Sequence, residues 1–280
     1  MGILLSLSSL LSWTFSDLLA KKTLQKQALW FISFWGQLFG GIAILAIGIF
    51  MGEIQSLAWE SWPWVLLLSV LNVFGMFCFY KAIQSKGVAL SLPVIYSWSI
   101  PSIFLGMIFL DQFPSTLQWL GVCGAIFGIF LVSVDTKAKH WVDKGTLYAF
   151  LSMLTWAIFY FLIREPSQVH GEWFLSSGIK IGSALFALPF LFKEGHSLSG
   201  TLKNLSWSLG LIGVLDALGL IFLTTALQIS STAIVTGIIS TTPVVVAFFG
   251  VFLFKEKVTH QQKLGILIST IGLILLVIPR

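Results

Sequence analysis

Stretches such as GGIAILAIGIF (Gly40–Phe50) and GILISTIGLILLVI (Gly265–Ile278) are apolar on every side. Neither a polar face nor a period-two alternation interrupts them. A helix with one face in water needs an apolar stripe and a polar stripe. A barrel strand alternates polar and apolar positions over about 10 residues. In lipid every backbone N–H and C=O must be satisfied internally, which leaves helices as the form for such runs. Composition agrees: 57% of the 280 residues are hydrophobic and 10% are charged, against roughly 25% charged in soluble domains. The expected fold is therefore an all-α polytopic membrane protein.

A spanning helix needs about 20 apolar residues. Apolar runs between polar punctuation give ten transmembrane helices, near 2–20, 29–51, 62–84, 88–110, 116–134, 145–164, 173–193, 207–227, 232–253 and 261–279. The connections are too short for a soluble domain. The first run lacks the basic start and A-x-A site of a secretory signal and reads as an uncleaved span. Loops 1–2, 3–4, 5–6, 7–8 and 9–10 share one side. On or near it fall Lys21, Lys22, Lys26, Lys81, Lys86, Lys137, Lys139, Lys144, Lys193, Lys203, Lys255, Lys257 and Lys263, while the other side holds Arg164 and Arg280. The positive-inside rule makes the Lys-rich side cytoplasmic and both termini external, which expects a cell (inner) membrane location.

A shift of 143 residues lays the first half on the second. Gly2 meets Gly145, Ser9 meets Ser152, Trp13 meets Trp156, Lys21 meets Arg164 and Gln25 meets Gln168. After a one-residue adjustment Asn72 meets Asp216, Gly75 meets Gly219, Ala82 meets Ala226, Gln84 meets Gln228, Gly106 meets Gly250, Gly121 meets Gly265 and Gly128 meets Gly272. Five spans per copy is an odd number, so the second copy enters from the opposite face. The expected domains are five-helix repeats at 1–140 and 141–280. Two inverted five-helix repeats are the plan of secondary transporters, with the solute site near the bilayer midplane between them.

The repeat length, the acid–basic turn at Glu256, the spacing of Gly265 and Gly272 and the alanines Ala82 and Ala226 ending the third span of each copy resemble the EamA-like family of the drug/metabolite transporter superfamily. The resemblance covers the whole chain. It departs at Gln112, which stands where the second copy has Glu256. It implies transport of small organic metabolites, with export of amino acids or related compounds ahead of uptake or exchange of nucleotide-like solutes. VIYSWSIP (Val94–Pro101) has a Tyr-x-Trp ahead of a proline and resembles the cavity motif of the family's aromatic amino-acid exporters. That resemblance implies Tyr80, Tyr96, Trp98 and Trp156 as pocket walls. An interfacial aromatic belt is the alternative for any one of them.

The residues themselves mark further candidates. Proline removes a backbone hydrogen bond, so Pro93, Pro101 and Pro243 mark spans 4 and 9 as cavity walls. Trp13 lies eight residues before Lys21, about 12 Å of helix, and shares a stripe with Ser9 and Ser16. LTWAIFY (Leu154–Tyr160) repeats the tryptophan in the second half, and Tyr160 joins Trp156 in the candidate set. Asp216 costs about 2.5–3.5 kcal/mol on insertion scales. It either binds a substrate amine or carries a coupling proton, or it bonds to a neighbouring helix. Asn72 holds the equivalent place. Lys180, equivalent to Gln37, is either a cation for a carboxylate or gate, or a snorkelling or helix-tying residue. Asp17 stands four residues before Lys21 and reads as a helix-end ion pair.

Enzymatic and receptor roles have little to stand on. No H-E-x-x-H, G-x-S-x-G or P-loop occurs. Cys78 and Cys123 lack metal-ligand spacing and read as small apolar residues, and His140, His170, His196 and His260 all fall in loops. No metal or cofactor is expected. No basic cluster has aromatic interleaving, so nucleic acid is not an expected partner; the lipid bilayer and a small-molecule solute are, with proton coupling open at Asp216.

Overall fold

The computed structural model describes residues 1–54, 59–111, 113–133, 143–195, 205–230, 235, 238–239, 241–276 and 278. The side chains of Trp59, Arg164, Gln168, Thr224, Leu227 and Gln228 lie outside this description. So do Gln112, Lys137, Lys139, His140, His196, Lys203, Arg280 and much of the start of expected span 9. Every described regular element is a helix: α1 Gly2–Leu24, α2 Leu29–Phe50, α3 Trp62–Lys86, α4 Val88–Ile95, α5 Ser99–Leu110, α6 Thr116–Ser133, α7 Lys144–His170, α8 Glu172–Lys193, α9 Trp207–Ile229, α10 Thr242–Phe254 and α11 His260–Leu276. Two short 3₁₀ turns, Trp59–Ser61 and Tyr96–Trp98, complete the set.

Among the described residues, seven stretches are long and apolar enough to cross a membrane: α1, α2, α3, the α4–α5 pair, α6, Lys144–Ile163 of α7, and α8. Trp207–Leu223, α10 and α11 are apolar but shorter. Large apolar side chains point outward from them; Phe252 is 72% exposed and Ile108 71%. An outer surface of this kind is solvated by hydrocarbon. The chain is thus a multi-pass membrane protein.

The main packing joins the two halves of the chain. Helix α1 lies on α9, α3 on α7, α2 on α8, α6 on α11 and α4 on α10. Glycine sets the closest contacts. A methyl group at Gly121 would sit 2.7 Å from the Gly272 carbonyl, and one at Gly265 would sit 2.7 Å from the Gly128 carbonyl. Gly121 therefore faces Gly272 and Gly128 faces Gly265, so α6 and α11 run antiparallel with their backbones in contact. The same residues that matched in sequence meet again between α1 and α9 and between α7 and α3. Ser9 Oγ donates to Gly219 O at 2.7 Å, and Ser152 Oγ donates to Gly75 O at 3.2 Å.

Span 4 is broken, as its prolines suggest. Helix α4 ends at Ile95, and Ser97 leaves helical geometry at φ −81° and ψ 15°. Ser97 Oγ donates to Pro93 O at 2.7 Å and Ser102 Oγ to Trp98 O at 3.0 Å, giving partners to carbonyls at the break. Pro101 sits in the first turn of α5, and Pro243 in the first turn of α10. Such a position needs no intrahelical N–H, so Pro243 starts a helix and does not kink one. Helices α5 and α10 end alike: Asp111 and Lys255 are left-handed, at φ 52° and 54°, and donate to Gly106 O and Gly250 O.

One end of the bundle gathers charge. Glu256 Oε1 and Oε2 accept from the backbone N–H groups of Val88 (3.0 Å) and Ala89 (2.8 Å). They cap the first turn of α4 where donors have no intrahelical partner. Gly87 makes room for this carboxylate: its φ is +83°, and any side chain there would collide with Glu256. Lys21 Nζ lies 3.8 Å from Glu256 and donates to Ile83 O at 2.8 Å. Nearby in sequence, Lys86 lies 3.3 Å from Asp143, which caps α7 by accepting from the Thr146 N–H at 2.8 Å. Burial of the Asp143 carboxyl works against ionisation, but the Thr146 N–H and Lys86 outweigh it and hold its pKa below the ordinary value.

Candidate functional site

Lys21 is thereby engaged away from Asp17, and the expected i,i+4 pair does not form. Asp17 turns inward from α1 at 9% exposure, and its Oδ2 accepts from the Tyr96 hydroxyl at 2.8 Å. The i,i+4 rule places two residues on one helix face but does not fix which neighbour each side chain turns to. Here the 3₁₀ turn carries Tyr96 to the inner side of α1. This buried carboxylate was missed as a site residue.

Lys180 on α8 forms an ion pair with Asp216 on α9. The pair links α8 to α9. The Asp216 side chain remains 30% exposed, against 10% for Lys180. Asp17 and Asp216 are close enough for their charges to act on one another, and both act on the hydroxyls of Tyr80, Tyr96 and Tyr160. Tyr160 on α7 packs against Trp98 with ring centroids 4.4 Å apart, and against Trp156 at 5.9 Å. Five helices and the 3₁₀ turn thus supply one cluster: two carboxylates, an ammonium, three phenols and two indoles.

Trp13 and Trp156 are seated in matching ways. Trp13 covers Gly219, where a methyl group would lie 2.6 Å from its ring; Trp156 covers Gly75, where the corresponding distance is 3.5 Å. Gly219 is three residues from Asp216 on the same face of α9. Both tryptophans are half-buried, as are Tyr96, Trp98 and Tyr160. Tyr80 differs from its expected place on a pocket wall: it is 1% exposed, packed edge-on to Phe79 in the core.

Asn72 is a structural tie. Its Nδ2 donates to Gln37 Oε1 at 3.0 Å and to Ser183 Oγ at 2.8 Å, joining α3 to α2 and α8. Gln37 and Asn72 are the sequence equivalents of Lys180 and Asp216. The same pair of positions meets in both halves, neutral in the first and charged in the second. The open cleft of about 360 Å³ at Val251, Glu256, Lys257, Val258, Thr259 and Lys263 is a surface feature beside the α4 cap, away from this cluster.

The EamA-like transporter family matches the chain twice, over residues 1–134 and 143–278. An uncharacterized transporter of Archaeoglobus fulgidus is 21% identical over 286 aligned residues, which take in 99% of this chain and 98% of that protein. A solved crystal structure shares the fold at a TM-score of 0.67, with 15% identity over 98% of this chain and 95% of the other. Two family matches that leave only the centre and the last residues uncovered, on a bundle of lipid-facing helices, place the chain in the EamA-like transporter family: it is a multi-pass membrane transporter.

Proposed function

We propose that this transporter is a secondary carrier of small organic metabolites, working by alternating access in the cytoplasmic membrane and exporting amino acids or related compounds. Its ten spans form two inverted repeats, 1–140 and 141–280, with the Lys-rich loops in the cytoplasm. The observation that carries this reading is the recurrence of one contact set in both halves. Ser9–Gly219 and Ser152–Gly75, Trp13 on Gly219 and Trp156 on Gly75, and Gln37–Asn72 and Lys180–Asp216 are each mates under a single exchange of halves. The equivalent helices α6 and α11 run antiparallel, as two copies of opposite topology must. The twin family match supports the same division. Two copies that can exchange conformations around a shared midplane site are the mechanical basis of alternating access.

The solute site is the cluster between the halves, with Trp13, Tyr96, Trp98, Trp156, Tyr160 and Asp216 as its half-open walls and Asn72, Tyr80 and Lys180 behind them. Lys21, Lys86 and Lys255 gather with Glu256 and Asp143 at one end, which supports a cytoplasmic assignment for that end. Counterflow in proteoliposomes, with amino acids, nucleosides and S-adenosyl compounds as solutes, tests the reading. Exchange of amino acids is expected; failure of every solute to exchange refutes a carrier. A cysteine placed in the 5–6 connection should be labelled only from the cytoplasmic side.

A further inference from the structure

One carboxylate ties the two halves of the chain together at the Lys-rich end. Glu256 follows α10 in the second half, and the partners described for it belong to the first. They are the N–H groups of Val88 and Ala89 at the head of α4, at 3.0 and 2.8 Å, and Lys21 Nζ of α1, at 3.8 Å. Lys21 in turn donates to Ile83 O of α3 at 2.8 Å. Three helices of the first half thus converge on one side chain of the second. The ion pair is shielded, with side-chain exposures of 15% for Lys21 and 13% for Glu256, so salt and water screen it less than a surface pair. Gly87 leaves the space that the carboxylate fills. Gly250 lets α10 close on α4, since a methyl group there would lie 2.8 Å from the Val88 side chain.

This geometry asks for a glutamate. Both carboxylate oxygens accept, so each takes one N–H. A glutamine would accept from one N–H and turn its own NH2 group against the other, and it would offer Lys21 no charge. The repeat places Gln112 at the equivalent position of the first half. One end of the molecule therefore has a charged clasp at this position, and the other has an uncharged side chain. Contacts made in one state of a two-state protein and lost in the other weight the equilibrium toward the state that has them.

We propose that Glu256 is the latch of the cytoplasmic end. It holds α4 and α1 against the end of α10 while that end is shut, and it lets go when that end opens. Because its mate carries no charge, it weights the carrier toward the cytoplasm-closed state. The latch rests on the carrier reading above and adds to it an unequal division between the two access states.

Double electron–electron resonance on the full-length protein in proteoliposomes tests it. One pair of spin labels goes on cysteines at Gln84, exposed on α3, and Lys257, exposed next to Glu256; Cys78 and Cys123 are replaced by alanine. A second pair takes the equivalent positions Gln228 and Phe113, for the opposite end. Glu256→Gln should raise the ratio of long to short distances in the first pair about tenfold, the effect of losing one charge-assisted hydrogen bond. It should shift the second pair in the opposite sense. Lys21→Met leaves the α4 cap in place and should move both pairs in the same directions by less; it decides the matter if Glu256→Gln does not fold. A role in folding alone lowers the melting point without moving the two ends in opposite senses. Unchanged distances in both variants, or a change confined to the first pair, overturn the latch. Counterflow on the native protein reads the carrier separately. Exchange alongside unmoved distances leaves a carrier without this latch; opposed shifts without exchange of any solute leave the latch in a protein that is not a carrier.

Discussion

The pair Lys180–Asp216 and its equivalent Gln37–Asn72 show one backbone geometry holding two chemistries. An amide pair is thus sterically acceptable at these positions, and the charged version in the second half has a reason other than packing. Lys180→Gln alone leaves Asp216 without its cation, and Asp216→Asn alone leaves Lys180 without its carboxylate. The double substitution recreates the first half's pair. We expect it to be more stable than the sum of the single changes allows, with a coupling of about 0.5–3 kcal/mol in the cycle, read from thermal unfolding in detergent. Strict additivity would mean the two side chains do not interact. The sequence carried both equivalences, yet each residue on its own reads as a ligand, a snorkel or a tie. Their partnership becomes visible only when spans 2 and 3 are laid on spans 7 and 8 together. Asp17 was harder: spacing to Lys21 is a one-dimensional fact, and nothing local points to Tyr96, 79 residues away.

Among the elements, α6 and α11 approach with their backbones in contact, and small residues make it so. Gly128→Val would drive a branched side chain into the Gly265 carbonyl and the Ser269 backbone. Separating the two helices should cost about 1–3 kcal/mol, seen as a lower midpoint in fluorescence-detected thermal melts; Gly124, which has no atom closer than 3.7 Å to an added methyl, is the tolerant control. Helix α7 depends on its cap. Asp143→Ala removes the acceptor for the Thr146 N–H and should cost about 1 kcal/mol at neutral pH. The depressed pKa of Asp143 fixes the sign of the pH effect. Its stabilisation is fully present above the ordinary carboxylate value and is lost as pH falls through the lowered one. The gap between native and Asp143→Ala melting points should therefore close in acid; a constant gap would assign the cap no charge. The all-helical class and the membrane-spanning stretches were legible from apolar runs, because lipid demands length and leaves few other forms. The 3₁₀ break at Tyr96–Trp98 was foreshadowed by Pro93 and Pro101, and the start of α10 by Pro243, though as a helix beginning and not a bend.

In the whole molecule, each half buries its helices chiefly against the other: α1 on α9, α2 on α8, α3 on α7, α6 on α11. Residues 1–140 and 141–280 expressed separately should each be degraded or aggregate, and together they should assemble into a species that melts as one unit; a stable, monodisperse first half alone would contradict this. The offset between the halves foreshadowed some of these contacts, since Ser9 and Ser152 both donate across them, to Gly219 and Gly75. What it could not reveal is where the halves differ, and Glu256 is such a place. The first N–H groups of α4 have their acceptor on a residue 168 and 167 positions later. During translation, α4 therefore enters the bilayer with its leading turn incomplete. It gains a fixed start only when Glu256, 168 residues beyond Val88, has been made. The order of synthesis thus makes the broken span, which carries Tyr96 to Asp17, wait on the second half of the chain for its final shape.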